Sequence, residues 1–209
     1  MSAEVQYATT ETPDTRTLAL SEARARADTY SLLAALLRAP PGPELLQRLS
    51  ALEVADAADD FSRSLVSLKL AARQVTAAEI DDEFHTLFVG LGRGELVPYA
   101  SWYLTGFLME QPLGELRRDL AMLGFDRQEG VCEPEDHIAA VCEVLSMLIL
   151  DGPDDIDTHR GFFDKHFGCW VGRFFTDLEA ADSAVFYRAV AGLGSAFTEL
   201  EQRYLTQEV

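Results

Sequence analysis

Apolar positions recur three and four apart along most of the chain, the spacing of one helical face, and no stretch alternates in the way that predicts a strand. Residues 1–20 lack the pattern and read as a disordered tail. From Ser21, a plausible N-cap, Leu32, Leu33, Leu36 and Leu37 share a face with Tyr30 until Pro40-Pro41 stops the helix. A short helix follows in PELLQRLSAL, and a longer one from about Ala55 to Val75 carries Phe61, Leu65, Leu68 and Leu70. Thr76 and Glu79 form a capping box that opens a helix through Phe88. The segment VGLGRGELVPYAS is a loop. Ser101 starts a further helix through Trp102, Tyr103, Phe107 and Leu108, which Pro112 restarts and Gly124 ends. FDRQEGVC is a second loop and a candidate hinge at about 125–132. Pro134 opens a helix to about Leu150, DGPDDID breaks it, and two more helices span about 158–180 and 183–206. The fold class is all-α: one globular bundle of eight to ten helices over residues 21–209.

Composition narrows the partners. The 209 residues are 48% hydrophobic, enough for a sizeable core, and the formal charge is −18. Such acidity repels nucleic acid and anionic membrane surfaces and favours a basic peptide. Three cysteines without a CxxC fit a reducing compartment rather than a disulfide framework. The N-terminus lacks the charged and apolar regions of a secretory signal, and no apolar run is long enough to span a membrane. A cytoplasmic protein is expected, with no stable membrane insertion.

Three stretches could carry chemistry. In Glu133-Pro134-Glu135-Asp136-His137, a proline in the first turn would set Glu133 and His137 about one turn apart on one side. The acids could simply complement the helix dipole. They could also form, with the imidazole, an exposed cluster at a loop mouth that binds a guanidinium or hydrogen-bonds a peptide backbone. The second stretch is aromatic: Phe84, Leu87 and Phe88, then Pro98, Tyr99, Trp102 and Tyr103 beyond the glycine-rich loop. It reads either as core or as the mobile wall of an apolar groove. The third, Phe162 to Phe175, holds six aromatics in 14 residues. Phe163, Phe167, Trp170 and Phe174 share one helical face, the mark of core packing.

Familiar enzyme signatures are missing. The four histidines stand in no Glu-x-x-His or HExxH, there is no nucleophile elbow and there is no P-loop, so no catalytic residue, metal or cofactor is implied. A helical carboxylate–histidine metalloprotein or enzyme is the alternative from a different class.

The motifs occur together in an order that resembles the TorD/DmsD family of redox-enzyme maturation chaperones. The family's E-P-x-D-H stands as Glu133 to His137. Its L-F-x-G and P-(Y/W)-x-S-x-Y stand as Leu87 to Gly90 and Pro98 to Tyr103. Its late run of Phe, His, Trp, Phe and Leu stands as Phe163, His166, Trp170, Phe174 and Leu178, departing at Gly168-Cys169. The opening Arg26 to Leu33, followed by Pro40-Pro41, is also similar. The resemblance implies an all-helical, non-enzymatic chaperone. It would bind the twin-arginine leader and apo form of a molybdopterin-containing oxidoreductase, of the DMSO/TMAO reductase or formate dehydrogenase type. It implies peptide contacts at Asp136, His137, Glu133, Phe84, Leu87, Phe88, Pro98, Tyr99, Ser101 and Tyr30. Where related members carry Trp, this chain has Phe84 and Tyr99. A domain-swapped dimer as well as a monomer fits the hinge, and an assembly factor that grips the mature client rather than its leader is a further alternative.

Overall fold

The structure is a computed structural model that describes residues 15–54, 57–90, 93–127, 130 and 132–207. Helix α1 runs Thr15–Arg38 and α2 Pro43–Ser50, with a proline in the first turn of α2. Helix α3 spans Asp60–Gln74, capped by Asp59, whose side chain accepts from the Ser62 N–H. Helix α4, Ala77–Phe84, starts at the expected Thr76–Glu79 capping box and passes into a π turn, His85–Val89. Helices α5, Ala100–Thr105, and α6, Gln111–Met122, follow. Then come α7, Ile138–Asp151; α8, Ile156–Phe163; a second π turn, Asp164–Gly168; α9, Cys169–Ala180; and α10, Phe186–Gln207. Among the described residues the isolated bridge between Tyr99 and His137 is the sole β pairing, so the all-α reading holds.

Several boundaries differ from the sequence reading. Helix α1 begins at Thr15, so Thr15–Leu20 are helical rather than tail, and Ser21 lies inside the helix. Residues 1–14 lie outside the described residues. So do 128, 129 and 131 of the expected hinge, and 55–56 at the expected start of α3. Helix α5 stops at Thr105 rather than reaching Leu108, because Gly106 takes a left-handed φ of 83°. Helix α7 starts at Ile138, not Pro134. The His137 N–H donates to the Pro134 carbonyl at 3.1 Å, which closes a turn first. Proline's fixed φ suits a turn as well as a first helical position.

Helices α1 and α7 pack closely. Their small residues allow Ser31 and Ser146 hydroxyls to share a 2.8 Å hydrogen bond, and Ser146 also donates to the Ala27 carbonyl at 2.9 Å. Helix α10 lies on α9 where a Cβ at Gly194 would fall 2.1 Å from the Phe175 ring. Phe163, Phe167, Trp170 and Phe174 are all buried, as their spacing predicts. One polar link crosses this core: Arg26 pairs with Glu201 at 2.6 Å, with side chains 8% and 2% exposed. Breaking it on one side would leave an uncompensated buried charge.

Candidate functional site

Two segments far apart in sequence meet at the start of α5. The Ala100 N–H donates to the Asp136 carbonyl at 3.0 Å, and the Ile138 N–H donates to the Pro98 carbonyl at 2.9 Å. The Ser101 N–H donates to Asp136 Oδ2 at 2.9 Å. Tyr99, the N-cap residue of α5, supplies no side-chain cap. Asp136 therefore does from outside what a capping side chain does from within, satisfying an orphan N–H of the first turn. Its side chain is buried, and Oδ1 has no hydrogen-bond partner in the protein. The equally buried Ser101 Oγ has none either.

His137 caps α7 by accepting the Ala139 N–H on Nδ1 at 3.2 Å. Burial, with the Arg38 charge adding to it, lowers the imidazole pKa to about 4. The ring is thus neutral at pH 7, and with Nδ1 accepting, its proton sits on Nε2. The Tyr99 ring meets His137 edge-on at 5.1 Å, and the Tyr99 hydroxyl donates to Glu133 Oε1. Glu133 is exposed, and no cation pairs with its carboxylate among the described residues. Glu135 is different. Arg117 Nε donates to it at 2.9 Å and Arg127 Nη1 lies 3.5 Å away. Burial raises the Glu135 pKa, but the Arg117 hydrogen bond and the two positive charges outweigh it, and the net shift is downward.

These contacts correct the expected geometry. Glu133 and His137 do not share a helical face, since Pro134 to His137 form a turn. Asp136 is not an exposed acid, because it is enclosed by the chain segment it caps. Arg117 and Arg127 could not be found from the sequence, as no local spacing ties them to Glu135.

Phe84, Leu87 and Phe88 form a separate group. Phe84 and Phe88 meet at a tilt of 58° with ring centroids 5.0 Å apart, and both rings lie against Tyr187 of α10, at 5.9 and 5.4 Å. The segment after the first π turn folds back tightly. The Leu96 N–H donates to the Leu87 carbonyl at 2.8 Å. A Cβ at Gly90, whose φ is 62°, would fall 2.0 Å from the Arg93 carbonyl oxygen, and one at Gly94 would fall 2.5 Å from the Phe88 carbonyl carbon. Leu87 and Tyr30 have no exposed surface. Tyr30 makes its ring contacts elsewhere, edge-on to Phe167 and Phe197. Neither side chain can touch a peptide in this conformation. Of the ten residues named from the sequence, Glu133, Tyr99, His137 and Phe88 offer surface, while Pro98, Ser101 and Asp136 build the frame beneath.

The chain matches the nitrate reductase delta subunit family over residues 53–176. It belongs to that family, among the TorD/DmsD-type redox-enzyme maturation chaperones. It is 26% identical over 205 residues to the chaperone protein TorD of Aliivibrio fischeri, a match covering 88% of this chain and 95% of the relative. It is 28% identical over 151 residues to the TorD of Vibrio parahaemolyticus, covering 67% and 70%. Its fold is similar to that of a redox enzyme maturation protein from Archaeoglobus fulgidus, with a TM-score of 0.56, 19% identity, and coverage of 83% of this chain and 93% of that one. In this TorD-type chain, no group of three or more His, Cys, Asp and Glu among the described residues could hold a metal ion. The three cysteines are free, with Cys132 and Cys169 exposed and Cys142 buried. No described helix is long and apolar enough to cross a membrane.

Proposed function

We propose that this chain is a cytoplasmic chaperone that binds the twin-arginine signal peptide of a molybdopterin-containing oxidoreductase. It holds the apo enzyme until its cofactor is loaded and does no chemistry of its own. One observation carries the reading: the two family motifs, separated by some thirty residues, are hydrogen-bonded into a single unit through Asp136, Ser101, Pro98 and Ile138. A rigid frame of this kind keeps Glu133, Tyr99 and His137 at fixed positions on its rim, and pre-organisation is where a modest interface gains affinity. The Glu133 carboxylate can take a guanidinium in two parallel hydrogen bonds, and the neutral His137 can donate from Nε2 to a peptide carbonyl. The net charge of −18 speeds encounter with a basic leader. The hinge near 125–132 and the choice between monomer and swapped dimer belong to the same proposal.

Calorimetry with a synthetic leader tests it. The expected result is micromolar-range binding that His137→Ala or Glu133→Gln weakens about tenfold, the worth of one good polar contact. Absence of binding to the leader of any oxidoreductase encoded beside this chain sinks the reading. Equal capture of leader-bearing and leader-deleted client would move recognition to the mature enzyme.

A further inference from the structure

We infer that the cleft between α5 and α9, with the apolar tip Phe107–Met109 beside it, seats the apolar stretch that follows the arginine pair in the leader. The inference rests on the leader-binding reading above and adds a second contact region to it.

The cleft encloses about 470 Å³ and is lined by Trp102, Tyr103, Gly106, Gly172, Arg173 and Asp177, among others. A Cβ added at Gly106 or Gly172 would meet nothing within 4 Å, so the floor is open. Tyr103 is fixed in its wall by donating its hydroxyl to Asp177 at 3.0 Å. Directly after Gly106 come three large apolar residues in water: Phe107 is 67% exposed, Leu108 49% and Met109 72%. Leu104 adds another 41%. Consecutive exposed apolar residues of this size mark a binding surface more often than chance placement.

The tip is built rather than frayed. Gly106 has a φ of 83° and Met109 a φ of 59°. The Thr105 hydroxyl donates to the Ser101 carbonyl at 2.8 Å and accepts the Phe107 N–H at 3.2 Å. A non-glycine residue in the left-handed region costs free energy. The chain accepts that cost to hold three apolar side chains outward.

Charge and register identify the occupant. Beside the start of α5 lies the Glu133 carboxylate, which accepts from the Tyr99 hydroxyl and pairs with no cation among the described residues. Arg117 and Arg127 are engaged by Glu135 and leave this end, with Asp136, net negative. The cleft end carries Arg173, and Arg93 lies over the Trp102 ring at 4.4 Å. Asp177 in the same cleft offsets one of these positive charges, so the cleft retains a single net positive charge and a peptide arginine is better placed at the first end. Helix α5 has six residues and so is about 9 Å long. An extended peptide covers that length in about three residues. A leader whose arginine pair engages Glu133 therefore brings the residues just after the pair onto the cleft and tip. A second copy of the chain is a poor occupant, because each copy carries a charge of −18.

The test pairs two synthetic peptides with variants of the chain. One peptide has an arginine pair followed by an apolar stretch; in the other, serine replaces the apolar residues. Phe107→Ser combined with Met109→Ser should weaken the first peptide about tenfold or more and leave the second unchanged. Gly172→Leu fills the open floor on an exposed helix position, where leucine also favours the helix, and should act in the same way with the fold kept. If both variants bind the first peptide as tightly as the parent chain, this inference is overturned while leader binding stands. If the parent chain binds neither peptide, both readings fall. If the double variant turns a dimer into a monomer by light scattering, the tip is a self-interface and the inference is wrong.

Discussion

Glu83 and Asp136 each cap a helix to which they do not belong, Glu83 at α10 and Asp136 at α5, but they differ in completeness. Glu83 uses both oxygens: Oε1 accepts from the Val185 and Tyr187 N–H groups at 2.8 Å each, and Oε2 accepts from Phe186 at 3.1 Å. Glu95 extends the clamp by accepting from Asp182 at 2.6 Å. Asp136 uses one oxygen on Ser101 and leaves Oδ1 buried without a protein partner, beside a Ser101 hydroxyl in the same condition. A carboxylate with both oxygens engaged by backbone N–H groups is a structural fastener. One whose polar capacity is half used, under a rim of Tyr99, His137 and Glu133, is where a scaffold has been shaped for something besides folding.

Removing each carboxylate tests that contrast, and Asp136 should give the larger effect. Asp136→Ala orphans the Ser101 N–H and loosens the join between residues 98–101 and 136–138. We expect a loss of about 3 kcal/mol in urea denaturation and loss of leader binding with it. Asp136→Asn keeps an acceptor for Ser101 and should recover most of the stability. If the asparagine variant is also fully stable and binds the leader normally, the orphan oxygen has no function. Glu83→Ala should cost less, about 1–2 kcal/mol, because Glu83 is only half-buried and Val185 is exposed, so water can replace part of the cap, whereas Asp136 is enclosed. Its leader affinity should stay unchanged, which separates fastener from frame.

The sequence exposed these two regions very unequally, and the reason is distance along the chain. The Thr76–Glu79 box, Pro43 in α2 and the core face of α9 were readable because each depends on neighbours within one turn. The segments of the Asp136 frame were visible as motifs, but not their pairing, because Ser101 and Asp136 are 35 residues apart. The Glu83 clamp left no signal, since Glu83 and Val185 are separated by 102 positions. Tyr30 was named as a peptide contact through the family resemblance alone, whereas its helical spacing sets it on the apolar face of α1. It meets Phe167 and Phe197 in the core.

A pH series sharpens the comparison, since the Asp136 frame includes a histidine cap and the Glu83 clamp has none. An ordinary imidazole takes up its proton near pH 6.5, whereas that of His137 does so near 4 in the folded chain. Between those values the unfolded chain binds more protons. The His137 contribution to stability is therefore complete above about pH 6.5 and is lost as the pH falls toward 4. His137→Asn keeps a good helix cap without a titrating group. At pH 5 the wild-type chain should have lost about 1 kcal/mol more, relative to pH 8, than this variant, a value reduced for the partial exposure of the ring. His159 and His166, also shifted down by burial, titrate in both chains and cancel in the difference. Identical pH profiles for the two chains would mean that His137 is not the group responsible.

The smallest expected effect lies at the opposite end of α5, where Met109 holds a φ of 59° with its side chain 72% exposed. Met109→Gly relieves about 1 kcal/mol of backbone strain, but glycine adds a similar amount of freedom to the unfolded chain. Stability should therefore stay within about 0.5 kcal/mol of the parent. Leader affinity should still fall severalfold, because an exposed apolar contact is gone. A substitution that leaves folding alone and harms binding is the mirror of Glu83→Ala, which harms folding and leaves binding alone. If Met109→Gly instead destabilises the chain by the amount expected for a buried methionine, the tip packs against the protein in solution. Its left-handed turn would then be an ordinary helix stop rather than a display.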